Sequence, residues 1–187
     1  MKRFGSACVL ALLCGTIALR VEPLAAQKTA PAKESAPDVP DAIAVPAGLQ
    51  PVTFAHASGS QVYVCKAGAE GKFSWTLKAP EAELKDRNDK VIGTHSAGPT
   101  WKLNDGSEVT GKMAAQVPSL DEDSIPWLLV NVVSNSGKGQ LAKVTAILRV
   151  HTHGGKPAAS DVCDEAHKDS ETKSKYTADY YFFAPAQ

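Results

Sequence analysis

His151-Thr152-His153 sets two imidazoles two residues apart. On a β-strand that spacing turns both rings to the same side and offers them to one metal ion. A metal site needs more than two ligands. His95 or a carboxylate such as Asp179 would have to complete the set, and nothing in the sequence brings either close. The pair reads as two surface histidines on a solvated segment, and no metal or other cofactor is assigned.

His95 is the stronger candidate. It stands in the stretch Gly93 to Trp101, where Gly93 and Gly98-Pro99 imply a specially shaped loop able to hold an imidazole beside an exposed ring. Two readings stand side by side: a histidine that faces a ligand, or one that hydrogen-bonds the loop's own backbone and fixes its shape. Along the closing segment, Asp179 and Tyr181 point opposite to Tyr180 and Phe182, so one set fills a core while the other lines a groove. We assign the groove to His95, Trp101, Asp179 and Tyr181, and the core to Trp75 and Trp127. Aromatic surfaces of this kind suit a small molecule or a glycan. No Gly-x-Ser-x-Gly elbow is present, and Ser107, directly after Asp105-Gly106, reads as turn chemistry. Catalytic residues stay unassigned.

The elements that must position these groups are strands. Ile125 to Val150 is the clearest hairpin: an almost unbroken apolar run, a turn over Asn135-Ser136-Gly137-Lys138-Gly139-Gln140, and a more mixed second arm from Leu141. The first arm suits a strand buried on both faces. Gln61 to Cys65 is a short β-rich run, and Lys72 to Lys78 alternates so that Phe73, Trp75 and Leu77 share a face. Leu84 to Ile92 predicts a strand pair turning at Asp86-Arg87-Asn88-Asp89, and Asn104-Asp105-Gly106 predicts another hairpin. His151 to Ser174 predicts a long loop with a helical turn, and Tyr176 to Phe183 an aromatic strand inside the sheet. The spacing predicts an all-β single domain, a β-sandwich or barrel of about eight short strands with one long disulfide-tied loop.

Composition and termini bound the rest. Twenty basic residues balance twenty acidic ones with no basic block, which excludes a nucleic-acid footprint. Lys2 and Arg3, an apolar stretch from Phe4 to Leu19, and Pro23-Leu24-Ala25-Ala26 predict a signal peptide over 1–26. The apolar run falls short of the roughly 20 residues a spanning helix needs, so no transmembrane segment is expected after cleavage. Residues 27–47, rich in Ala, Pro and Lys, predict a flexible linker, and 48–187 the domain. Export would leave Cys65 and Cys163 as the mature cysteines. Either they close a disulfide in an oxidising compartment, periplasm or medium, or they are two separate buried thiols. A bridge would close a loop of roughly 100 residues, for which chain entropy assigns about 4 to 5 kcal/mol as an upper figure.

His95-Ser96-Ala97-Gly98-Pro99-Thr100-Trp101, Asp105-Gly106-Ser107, Ile125-Pro126-Trp127-Leu128-Leu129, Gly154-Gly155 followed by Cys163, and Tyr176-Thr177-Ala178-Asp179-Tyr180-Tyr181-Phe182 occur in this order. Together they resemble the secreted bacterial and fungal domain-of-unknown-function family numbered 3455, over about Ala47 to the C-terminus. The resemblance implies an exported protein of unassigned role, and His151 and His153 depart from its pattern. Some fungal relatives carry a malate-dehydrogenase label. This sequence has neither a glycine-rich strand-to-helix fingerprint nor an alternation of strands with helices, so we reject that reading. A non-enzymatic binding or envelope-associated module is expected, with a metal-dependent or hydrolytic enzyme using His95, or a purely structural envelope protein, as alternatives. Convergence of His95, His151, His153 and Asp179 on one concave site would favour chemistry; scattering would favour binding.

Overall fold

The computed structural model describes residues 34–186. The predicted signal peptide over 1–26, and with it Cys8 and Cys14, lies outside the described residues. Eight strands follow in order: β1 (Leu49–Ala67), β2 (Phe73–Lys85), β3 (Val91–Ser96), β4 (Thr100–Leu103), β5 (Glu108–Val117), β6 (Trp127–Ser136), β7 (Ala146–Gly154) and β8 (Glu171–Pro185). Each pairs antiparallel with the next, and β8 returns to β1, so the sheet closes into an up-and-down barrel. Of the two architectures expected, the barrel is the one formed. Closure gives every strand a neighbour on both sides, so no edge strand is left open along its whole length.

Strand lengths depart from expectation at the seam of the barrel. β1 runs 19 residues and β8 runs 15, and the two pair from Leu49↔Pro185 to Val64↔Glu171. The first half of β1 has weak β-propensity, with Pro51, Ala55, Ala57 and Gly59. Its ladders to β2 and β8 supply what local preference does not. The central hairpin turns over 137–145, and its second arm starts at Ala146 rather than Leu141. Leu141 and Val144 are instead fully buried, packed into the barrel core. The expected loop over Gly93 to Trp101 is also a hairpin: β3 and β4 with a turn at 97–99. Gly93 sits in β3 because a Cβ there would lie 2.2 Å from the Lys102 carbonyl oxygen, a close approach that extended glycine tolerates.

Two apolar clusters lie on opposite sides of the wall. The inner one takes residues from strands all round the barrel, among them Ala57, Leu84, Trp101, Val130, Ile147, Tyr180 and Phe182. The outer one covers only part of the wall: Phe54 of β1, Trp127 and Leu129 of β6, Leu148 and Val150 of β7, Tyr181 and Phe183 of β8. That explains the apolar runs without alternation at 127–130 and 180–183, since both of their faces are buried. The outer cluster is completed by a segment whose composition predicts a linker. Ile43, in a 3₁₀ turn over Asp41–Ile43, is fully buried there, with Val39 and Val45 beside it. Among the described residues the expected tether thus begins to pack well before residue 48.

Cys65 and Cys163 form a disulfide, with Cα atoms 5.4 Å apart. It ties the β7–β8 connection to β1, and that connection contains the expected helical turn at Glu165–His167. No helix among the described residues is long and apolar enough to cross a membrane.

Candidate functional site

The β3–β4 hairpin leaves a low place in the barrel wall. β2 is 13 residues long and β5 is 10, while β3 and β4 have 6 and 4. β3 therefore pairs with β2 only over Ala82 to Lys85, and β4 with β5 only over Glu108 to Thr110. On the edge toward the hairpin, residues 73–81 of β2 and 112–117 of β5 have no strand partner, while their other edge stays paired with β1 and β6. A cavity of about 400 Å³ lies at this place, with Gln61, His95, Trp101, Arg149 and Tyr180 among its lining residues. Leu77 and Met113, both about half exposed, flank it from the two flanking strands.

The polar groups of this site are buried by the same alternation that builds the core. Gln61 is 1% exposed and neither its Oε1 nor its Nε2 has a protein partner. The indole Nε1 of Trp101 and the hydroxyl of Tyr180 are likewise unpaired, as is the hydroxyl of Tyr176, which belongs to the inner cluster rather than to the cavity lining. The two tyrosines and Arg149 are close enough to perturb one another, but their hydroxyls do not reach hydrogen-bond geometry. Burial pushes both phenols well above the usual tyrosine range, so both stay neutral. Tyr63 differs in donating its hydroxyl to the Gly155 carbonyl at 2.8 Å. Arg149 donates from Nε and Nη2 to the Pro126 carbonyl at 3.2 and 2.8 Å.

His95 stacks on Trp101 with ring centroids 4.4 Å apart and meets Tyr180 edge-on at 5.1 Å. Its Nδ1 lies 2.9 Å from the Thr100 carbonyl oxygen. A carbonyl only accepts, so Nδ1 carries the proton and Nε2 is left as an acceptor. Burial, seconded by the charge of Arg149, pushes the imidazole down to about 3 against the pull of the Thr100 carbonyl. The ring is therefore neutral at physiological pH. Of the two readings of His95, the backbone-bonding one describes the ring, and the same ring lines the cavity.

The barrel wall divides the remaining sequence candidates. His95 and Trp101 lie inside, and Trp101 is buried rather than exposed. Asp179 and Tyr181 lie outside, on the other face of β8. Asp179 bonds His56 Nδ1 at 2.8 Å and His151 Nδ1 at 3.0 Å. Tyr181 accepts from Arg87 Nη2 at 3.3 Å, and the Arg87 guanidinium stacks 3.4 Å over the Phe54 ring. His153 faces a different carboxylate, Asp121, at 3.4 Å. Between them β7 carries a bulge, with His151 in left-handed backbone at φ 48°. His151 and His153 thus do not share a ligand. Among the described residues no group of three or more His, Cys, Asp or Glu side chains is arranged to hold a metal ion.

Ser107 is buried and hydrogen-bonded to Asp105 at 2.6 Å while accepting from Leu141 N–H, which is turn and loop anchoring. Three cavity residues that the sequence did not assign to a site are Gln61, Arg149 and Tyr180, although Tyr180 was already set opposite Tyr181 on the closing strand. For two of them a signal existed: Arg149 breaks the apolar run Ala146-Ile147-Leu148, and Gln61 opens the β-rich run ending at Cys65. A polar side chain in such a run is either paired or facing a site.

Neither curated proteins nor solved structures give a match to this chain. A family model matches residues 46–184, from just before β1 almost to the end of β8. The chain belongs to the family described as protein of unknown function DUF3455.

Proposed function

We propose that this protein is an exported, non-enzymatic module that holds a small molecule in the barrel cavity beneath the β3–β4 hairpin. The observation that carries the reading is the combination of an apolar cavity of about 400 Å³ with buried polar groups that find no partner in the protein. Each such group left unsatisfied costs about 1 to 3 kcal/mol, a cost that a bound molecule offsets. Cavities of this size and lining are typical ligand sites, and eight-stranded barrels have room for one small ligand. Export rests on the basic and apolar N-terminal sequence and on the disulfide. The polar candidates are scattered: His95 lies inside, while Asp179, His151 and His153 lie outside and address two carboxylates. That favours binding over acid–base chemistry, as does a His95 whose Nδ1 proton is committed to the backbone.

The test is a thermal-shift and NMR screen of small molecules, run on the disulfide-bonded protein and on a Val130→Trp variant that fills the cavity. Ligands of the natural barrel should lose at least ten-fold in affinity in the variant, while its circular dichroism stays unchanged. Ligands that bind both proteins equally would place recognition elsewhere and overturn the reading.

A further inference from the structure

Arg149 is a charged residue in the barrel interior, 9% exposed, on a strand whose neighbours Ile147 and Leu148 are fully buried. Among the described residues no carboxylate lies within salt-bridge distance of it, and its hydrogen bonds run from Nε and Nη2 to one carbonyl oxygen. A guanidinium has five N–H donors and remains charged at any physiological pH. Removing such a charge from water without a counter-charge is among the most costly arrangements a protein can adopt.

The groups around Arg149 do not neutralise it. Tyr63, Tyr176 and Tyr180 are held protonated by burial, and His95 is held neutral. Lys78, at the edge of the cavity, is already paired with Glu171 at 2.5 Å. The barrel interior thus carries one uncompensated positive charge. The unpaired polar atoms beside it are mostly donors: Gln61 Nε2, Trp101 Nε1 and the Tyr180 hydroxyl. Gln61 Oε1 and His95 Nε2 are acceptors and the Tyr180 hydroxyl can take either role, and the Arg149 N–H groups not directed at Pro126 keep donors in the majority. A carboxylate, which accepts about four hydrogen bonds and donates none, matches a site where donors predominate. The rest of the lining, Leu77, Pro80, Pro99, Met113, Leu128 and Val130, is apolar and reaches the half-exposed Leu77 and Met113.

From this arrangement we infer that the cavity takes a small organic carboxylate with a flat or short-chain apolar body, its head group at Arg149 and Gln61 and its body along Trp101 toward Leu77 and Met113. The inference rests on the cavity-binding reading above and names the class of its ligand. Arg149 is the residue that selects the charge. Gln61, Trp101 and Tyr180 supply further donors to the head group, and the β2 and β5 side chains contact the body.

The experiment compares 2-naphthoate with its uncharged amide, 2-naphthamide, by titration calorimetry on the disulfide-bonded protein. Shape and apolar area are nearly the same, so the comparison isolates the charge. The carboxylate should bind at least ten-fold more tightly. Arg149→Gln should bring the two to within about three-fold of each other by weakening the carboxylate alone. Should Arg149→Gln fail to fold, the comparison on the natural protein still decides, and Gln61→Leu, which keeps the charge, should weaken the carboxylate while preserving its preference over the amide. Equal binding of the two probes overturns the carboxylate assignment and leaves the cavity reading standing. If neither probe binds, and a panel of aliphatic and aromatic carboxylates with their amides is equally silent, both fall.

Discussion

At the scale of single residues, His95 links the hairpin to the cavity and makes a measurable statement about pH. Its folded-state value of about 3 lies below the ordinary 6.5. Between those limits the unfolded chain binds a proton that the folded one excludes. Stability contributed by the neutral, buried ring is therefore complete above pH 6.5 and is lost as pH falls toward 3. One proton corresponds to a slope of about 1.4 kcal/mol per pH unit. Urea unfolding at pH 7, 5.5 and 4.5 should show that extra loss in the natural protein and not in His95→Gln, whose side chain does not titrate. Parallel pH profiles for the two proteins would mean that the ring is solvated in solution and does not form the stack with Trp101.

At the scale of elements, the short β3–β4 hairpin is what turns a packed barrel into one with an accessible interior. Its shortness leaves parts of β2 and β5 without a strand between them. Its position depends on Gly93, where β3 passes so close to β4 that a Cβ would sit 2.2 Å from Lys102 O and 2.9 Å from Leu103 Cα. Both obstacles are backbone atoms, so no side-chain rotation relieves them. Gly93→Ala should destabilise the fold by about 1 to 3 kcal/mol, the range for overpacking, and should disturb the resonances of His95 and Trp101 first. Guanidinium titration with NMR reads both. A variant as stable as the natural protein, with those resonances unmoved, would show that the strands separate readily at this point.

At the scale of the whole molecule, the disulfide and the 34–45 segment brace the barrel from outside. Cys65 is paired with Cys163 across 98 residues, and β1 and the tied connection also exchange backbone bonds, Cys65 N–H to Ser170 O and Asp169 N–H to Cys65 O. Trp75 reaches the same connection, donating from Nε1 to the Asp161 carbonyl at 3.0 Å, so it serves the outer layer and not the inner core. With both cysteines replaced by serine, the chain-entropy model expects a loss of up to about 4 to 5 kcal/mol. The native ladder contacts should keep the variant folded near neutral pH, with an unchanged far-ultraviolet spectrum and a lowered denaturation midpoint. A loss below about 1 kcal/mol would show that the unfolded chain is already restricted without the bridge.

What the sequence determined by itself was local or compositional. Alternation at Phe73, Trp75 and Leu77 and the turns at Asp86 to Asp89 and at Asp105-Gly106 were enough for an all-β chain, while Cys65 and Cys163 left a bridge and two buried thiols open until the fold brought them together. The opposition of Asp179 and Tyr181 to Tyr180 and Phe182 was also legible, because a period of two needs no partner to be read. Which of those faces looks inward was not. Both faces of β8 are apolar near its end, and the outer one is covered by Ile43 and its neighbours, from a segment whose Pro- and Ala-rich composition resembles a linker. Only closure of β8 onto β1 put Tyr180 inside with His95 and Trp101, and Asp179 and Tyr181 outside with His56, His151 and Arg87. Arg149 and Gln61 entered the site for the same reason. Their positions in apolar runs were visible, but an inward charge and an outward one have the same local sequence, and the distinction arises only when eight strands enclose a common interior.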